Sequence, residues 1–271
     1  MTVGERYIQD FNLYAKSSWL EYCQKYSIDL IILDTPLDKS LDAKKRSPAW
    51  QKLLILSQDW SSNYDQMAWL DSDIIINSSS APDIFSFVPT SKLGLVEAFV
   101  FPTPNIFRLS ILEQYKRWEN EGRHFMRNEN ANSYYLNRGI AIEGYADNLK
   151  VLQTGVVVCS PSYHKRLFEY IYFNYEDSFG PSGNYEMPAM SFEIYKSELW
   201  EPLPQEFNII VRDFIHVFYP EPHPVNKVRD MIYKILRRLL LISDLQRTFQ
   251  LSYFMHFAGS AYLMRKVPTE Q

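Results

Sequence analysis

The chain has 271 residues, 46% of them hydrophobic, which is enough apolar material for one large α/β domain spanning residues 1–271. A formal charge of −4 creates no global field for polyanions and argues against a nucleic-acid partner. The only cysteines, Cys23 and Cys159, sit beside apolar or aromatic residues and read as buried thiols of a reducing, cytoplasmic compartment. The opening residues lack a signal-peptide pattern, and no apolar run reaches the roughly 18 residues of a membrane span.

Taken in chain order, Arg6 to Tyr26 carries apolar side chains at helical spacing, and the apolar run Ile28 to Leu33 is short enough for a buried strand. Ser47-Pro48 supplies a cap and a first-turn proline for a helix over Ala49 to Trp60. A strand follows over Gln66 to Leu70, running into Asp71, then a short helix opened by Ala81-Pro82 and a strand over Leu93 to Phe99. Between Pro102 and Asn148 the pattern turns polar and irregular, with a helix near Ile106 to Glu121 and then the Asn- and Arg-rich stretch Arg123 to Arg138, and reads as an insertion that covers a cleft. The strand Val151 to Cys159 precedes a helix capped by Ser160-Pro161-Ser162 and running to Tyr175. Gly180 to Gly183 is a loop, Tyr185 to Ser197 a helix, Phe207 to Val211 a short strand, Asn226 to Phe249 a long helix, and Leu251 to Phe257 the last strand. Repeated helix–strand alternation predicts a mostly parallel sheet with helices on both faces, whose ligands sit at the carboxyl ends of strands.

Asp71 and Asp73 lie at such a strand end. In extended backbone, residues two apart point to the same side, so both carboxylates can face one cation. Two carboxylates that close need a compensating positive charge, and a hard divalent ion, Mn²⁺ or Mg²⁺, supplies it while bridging phosphate oxygens. An isolated D-x-D is more commonly a surface turn, but here an apolar strand precedes the pair and Ile74-Ile75-Ile76 follows it. Aromatic residues make up 15% of the chain, which suits both a sugar-handling cleft and an aromatic-rich core.

The segment Tyr64-Asp65-Gln66-Met67-Ala68-Trp69-Leu70-Asp71-Ser72-Asp73 resembles the strand and D-x-D signature of GT-A glycosyltransferases, with a family-8-like order of motifs around it. Arg46 to Lys52 resembles the segment one helix upstream that borders the donor site. Gln153-Thr154-Gly155 is similar to the strand start that lines the donor-sugar pocket, and His256-Phe257-Ala258-Gly259-Ser260 resembles a His-x-x-Gly element. The resemblance implies a GT-A fold, with a mostly parallel central sheet and a helical C-terminal annex. It also implies a metal held by Asp71, Asp73 and His256, and a nucleotide-diphosphosugar donor, UDP-linked by expectation. Gly259 and Ser260 would contact the diphosphate, and Gln153, Thr154, Gly155 and Glu186 the transferred sugar or the incoming hydroxyl. The acceptor would be a glycan, a lipid-linked molecule or a protein, and the order of motifs leans toward the retaining families. Two departures stand out. Members begin with a strand that contacts the nucleobase, whereas this chain opens almost at the following helix; and no basic residue follows Gly259 until Arg265.

Several residues carry a second reading. Arg46 and Lys52 could neutralise phosphate or merely solvate a helix face, and Glu186 could act on the acceptor hydroxyl or only favour a helix start. The basic amphipathic stretch Lys227 to Arg238 could lie on an anionic membrane or pack on the domain. A phosphatase of the haloacid-dehalogenase type would also place an aspartate pair after an apolar strand, but no Asp-Asp or Gly-Asp dipeptide is present to complete its metal site. A sugar-nucleotide-binding module without turnover remains the non-enzymatic alternative.

Overall fold

The computed structural model describes residues 4–123, 127–145, 148–176, 185–220 and 227–267. The loop expected at Gly180 to Gly183 lies outside them. The chain enters through α1 (Glu5–Asp10), a π-helical turn (Phe11–Ala15) and α2 (Lys16–Tyr26), the one helix expected there, widened by a turn in its middle. Phe11, Ala15, Ser18, Trp19 and Tyr22 form its buried stripe. It ends at Ser27, in the left-handed conformation at φ 55°.

Among the described residues, seven strands form two sheets. β1 (Met67–Leu70), β3 (Leu93–Glu97), β4 (Leu152–Cys159) and β5 (Trp200–Pro202) make one, in the order β1-β4-β3-β5. β2 (Ile74–Ile76), β6 (Ile209–Ile210) and β7 (Phe254–His256) make the other, in the order β2-β7-β6. Helices α3 (Pro104–Asn120), α4 (Ala131–Leu136), α5 (Pro161–Asn174), α6 (Met187–Lys196), α7 (Val211–Phe218) and α8 (Lys227–Leu251) complete the α/β arrangement. The expected mostly parallel sheet is corrected by the pairing. β1–β4, β3–β4 and β2–β7 run antiparallel, and only β3–β5 and β6–β7 are parallel. Helix–strand alternation does not fix direction, because a strand entering from a long connection can align either way.

Ile28 to Leu33 forms no strand. It lines a cavity of about 450 Å³ together with Gln66 to Leu70, and it makes no ladder with them. Ile31 and Ile32 are each left 41% exposed. The helix expected over Ala49 to Trp60 winds instead as 3-10 turns, Pro48–Ser57 and Asp59–Asn63, with the Ser47 hydroxyl accepting from the Ala49 N–H. Every residue from Trp50 to Leu56 is buried, so this segment has no polar face at all. The helix expected after Ala81-Pro82 is a 3-10 turn, Ile84–Phe87, capped by Asp83. The strand expected over Phe207 to Val211 keeps only two residues before α7 begins, and the last strand keeps three.

What positions the site is the step from β1 to β2. The chain leaves the four-stranded sheet after Leu70 and joins the three-stranded sheet at Ile74, so Asp71, Ser72 and Asp73 span the seam. α2 fastens the far side of that step. The Trp19 indole donates to the Ile74 carbonyl at 2.8 Å, and the Ile76 N–H donates to the Ser18 hydroxyl at 3.1 Å.

Candidate active site

Asp71 and Asp73 do not share an extended strand, as the sequence reading assumed; Asp71 ends the step out of β1 and Asp73 lies in the turn Ser72–Asp73 that leads into β2. The Asp71 N–H donates to the Gly155 carbonyl of β4 and the Phe257 N–H, just past β7, donates to the Asp73 carbonyl, each at 2.9 Å. One aspartate is thus tied to each sheet. β7 brings His256 to the same point, and ligand atoms of Asp71, Asp73 and His256 lie within 4.8 Å of one another. His256 Nε2 is 3.2 Å from Asp73 Oδ1 and 3.9 Å from Asp71 Oδ2.

The two oxygens of Asp71 have separate duties. Oδ1 accepts from the Trp69 indole at 2.7 Å and from Lys52 Nζ at 3.2 Å, which leaves Oδ2 facing Asp73 and His256. Lys52, 2% exposed, uses its three protons on Asp71 Oδ1, the Thr154 carbonyl at 2.8 Å and Glu186 Oε1 at 2.7 Å. Burial opposes its charge, but Asp71 and Glu186 hold its pKa above the ordinary lysine value. Burial likewise works to raise the Asp71 carboxyl, and the charges of Lys52 and then His256 overcome it and hold the group below the ordinary range. At Glu186 burial wins: with the Asp71 charge nearby, its pKa lies above the ordinary value despite Lys52. His256 is raised; burial disfavours its charge, and the attraction of Asp73 and Asp71 outweighs that.

Gly155 is there because the imidazole comes so close. A Cβ at this position would sit 2.4 Å from His256 Cε1 and 3.4 Å from Asp71 Oδ2. Thr154, next to it, donates its hydroxyl to Glu186 Oε1 at 2.8 Å. Glu186 Oε2 and Gln153 Oε1 are buried with no hydrogen-bond partner among the described residues, two acceptors that a ligand's hydroxyls would satisfy. Gly259 turns the chain after β7 at φ 64°, and Ser260 is buried with its N–H donating to the Phe257 carbonyl.

The structure therefore gathers Lys52, Asp71, Asp73, Thr154, Gly155, Glu186 and His256 into one contact network, with Gln153 beside it in β4. Arg46 is not part of it. Its guanidinium donates to the Tyr172 carbonyl and to Glu176 and stacks near Trp50 and Tyr172, so the expected phosphate role has no geometric support. Lys52 corrects the expectation differently: it lies at the site, but its donors are spent on the protein and it neutralises carboxylates. Glu97, at the end of β3, pairs with Lys150 at 2.9 Å and stays outside the network.

Sequence reasoning missed three residues. Asn208, ahead of β6, faces the His256 ring, and its Oδ1 lies 2.9 Å from Nδ1. Arg212, in the first turn of α7, has Nη1 3.9 Å from where a Gly259 side chain would begin. Asp213 is buried enough that its pKa is raised to about 6, against the lowering effects of Arg212 and His256. No motif spacing announces any of them, because they reach the site through β6 and the start of α7.

No family model matches the sequence, and no curated protein does. Three solved structures resemble the fold. A glycosyltransferase involved in glycosylation of the major capsid of PBCV-1 matches at 13% identity with a TM-score of 0.49, over 94% of this chain and 90% of that one. The bifunctional glycosyltransferase WbbM matches at 13% identity and 0.41, over 79% and 32%. The galactosyltransferase LgtC, solved with donor and acceptor sugar analogues, matches at 12% and 0.39, over 81% and 62%. At these values the likeness is one of outline, and the chemistry is decided by the residues of the site.

Two outcomes follow from the network. Lys52→Met strands the Asp71 and Glu186 carboxylates in a buried setting and should lower unfolding free energy by about 3–5 kcal/mol in urea titrations, with part of the loss restored by adding Glu186→Gln. Asp213, raised to about 6, binds a proton in the folded state between pH 4 and 6 that the unfolded chain releases, so its contribution favours folding as pH falls through that window. Asp213→Asn should therefore stabilise the protein at pH 7, by about 3 kcal/mol at most, and by progressively less toward pH 4. Equal effects of the substitution at pH 7 and pH 4 would show that the carboxyl is not perturbed.

Proposed function

We propose that the chain is a metal-dependent glycosyltransferase of the GT-A type, one domain over residues 1–271, that moves a sugar from a nucleotide-diphosphosugar to a hydroxyl acceptor. The observation that carries this reading is the convergence of Asp71 Oδ2, Asp73 and His256 Nε2 at the seam of two sheets, with Lys52 absorbing only the other oxygen of Asp71. Two carboxylates and an imidazole are a donor set suited to Mn²⁺, with Mg²⁺ the harder alternative. When bound, such an ion would neutralise the negative charge that builds on a leaving nucleoside diphosphate. The rest falls to the chain's own groups. Arg212 Nη1 lies near the Gly259–Ser260 turn that follows His256, and these groups would meet phosphate oxygens. Glu186 Oε2 and Gln153 Oε1 would accept from hydroxyls of the transferred sugar or the incoming acceptor. Thr154 and Lys52 hold Glu186 Oε1, so the carboxyl keeps one oxygen free and a defined direction. A haloacid-dehalogenase-type phosphatase is the alternative; among the described residues a histidine, and no second acidic pair, joins Asp71 and Asp73, which favours the transferase. A retaining outcome and a UDP-linked donor are the readings that the motif order favours.

The acceptor side of the proposal draws on α8. No helix among the described residues is long and apolar enough to cross a membrane. Yet α8 buries Leu241 and Leu245 while leaving Met231, Ile232, Ile235, Leu236, Leu239 and Leu240 more than half exposed beside the exposed Lys234 and Arg238. That surface suits the interface of an anionic membrane, where a lipid-linked acceptor would be met; the reducing compartment inferred from two free thiols is the cytoplasmic side.

Calorimetric titration of UDP in the presence of Mn²⁺ should show binding that disappears with chelator and in Asp73→Ala; equal UDP affinity with and without chelator would remove the metal from the site's chemistry. Sedimentation with vesicles should show association with phosphatidylglycerol-containing bilayers and not with pure phosphatidylcholine. Ile235→Glu with Leu239→Glu should abolish it, and association indifferent to lipid charge or to these substitutions would refute the membrane contact.

A further inference from the structure

We propose that the cavity lined by Ile28 to Leu33 and β1 is a strand-binding slot, filled by one apolar segment of another polypeptide chain that pairs with both. The inference stands apart from the sugar-transfer reading. β1 is the edge of the four-stranded sheet and pairs with β4 alone. The Asp71 N–H bonds the Gly155 carbonyl in continuation of the antiparallel register that sets Leu70 against Val156, and such bonds recur at every second residue. Met67 and Trp69 therefore bond β4, whereas the N–H and C=O groups of Ala68 and Leu70 point away from it. Both residues line the cavity. The other segment that lines it, Asp29 to Leu33, makes no backbone hydrogen bond among the described residues.

Side-chain packing places the two segments in one layer. Ile28, Leu30, Ala68 and Leu70 pack on one apolar core, and Leu33, Met67 and Trp69 on the other. That is the period-two division of strands covered on both faces. The cavity lies in the same layer, since Trp19, Tyr22 and Ile84 of the first core and Ile55 and Trp60 of the second are among its lining. Segments that share a layer, line one cavity and do not bond each other leave between them the width of a strand. At about 450 Å³ the cavity equals about fifteen waters at ~30 Å³ each, far above the voids of a packed interior.

The walls select the occupant. A lipid tail would meet the apolar side chains but leave the backbone groups of Ala68, Leu70 and Asp29 to Leu33 unpaired, whereas a peptide strand satisfies both. Apolar side chains on each face of the slot call for a strand that is apolar at consecutive positions. Among the described residues, Asp29 and Asp83 are the charged groups of the lining, so the strand's flanks are basic. A second copy of this chain fits less well. Its β-branched runs Ile74–Ile76 and Val156–Val158 already lie inside β2 and β4, and Ile28 to Leu33 carries Asp29, of the same sign as the slot.

The probe is the peptide acetyl-Lys-Val-Ala-Val-Ala-Val-Lys-amide, used beside a copy N-methylated at its alanines, which keeps the side chains and loses ladder donors. Added to the full chain at millimolar concentration, the first peptide should raise the melting temperature and slow hydrogen exchange at the Ala68 and Leu70 amides and within Asp29 to Leu33; the methylated copy should do neither. Ile31→Pro with Ile32→Pro removes a donor toward the slot whichever way the segment is registered. Neither residue donates a backbone bond in the structure, so this variant should melt as the parent does and bind the peptide about tenfold more weakly. Equal binding of the two peptides would reduce the slot to an apolar groove and overturn the proposal. So would protection confined to other amides, or no response to either peptide, and these readings stand on the parent chain even if the proline variant fails to fold. Protection of the same amides without peptide, growing with protein concentration alongside a dimer in sedimentation equilibrium, would make a second copy the occupant and overturn it as well.

Discussion

Carboxylates brought within reach of one imidazole nitrogen repel each other, and the surroundings of Asp71 and Asp73 are arranged around that repulsion. Lys52 takes one oxygen of Asp71 together with Glu186 and the Thr154 carbonyl, so a single buried ammonium offsets two acids with all its protons used. His256 stands between the remaining oxygens. Such a cluster is costly to bury and becomes tenable only when each charge has a partner at hydrogen-bonding distance. It also leaves one position, bounded by Asp71 Oδ2, Asp73 Oδ1 and His256 Nε2, where positive charge is wanted and protein supplies only an imidazole.

The backbone makes this arrangement rigid. Asp71 is tied to β4 and Asp73 to the residue after β7, so the pair cannot separate without breaking one of these backbone bonds. α2 locks β2 through Trp19 and Ser18, and β6 brings Asn208 and the start of α7 to the far side of His256. Elements remote in sequence thereby meet at one seam. Glu186 and Asn208, which each touch the cluster, and Gln153, two residues before Gly155, carry buried polar atoms without a hydrogen-bond partner among the described residues.

Much of the site was legible because its members carry local signatures. An apolar run ending in Asp-x-Asp, a Thr-Gly step in a buried strand and a histidine closing an apolar triplet are each visible within a few residues. Lys52 was visible but misread: seven consecutive buried residues have no polar face, so its ammonium could not be solvated and had to find acids. Asn208, Arg212 and Asp213 were not legible, because a single amide, guanidinium or carboxyl in an irregular segment has no periodicity to betray it. The direction of the strands was hidden for a similar reason, since alternation of elements constrains which faces are covered and says little about which way each strand runs.

By itself the sequence determined the α/β character, the places of most helices and strands, and the identity of the acidic pair, because hydrophobic period and flanking residues are local properties. Only the tertiary structure decided that the pair straddles two sheets, that Ile28 to Leu33 finds no ladder, and that Lys52, Glu186, Asn208 and His256 meet there. Those outcomes depend on strand register and on which buried charges come within a few ångströms, and neither is fixed until the chain has closed on itself.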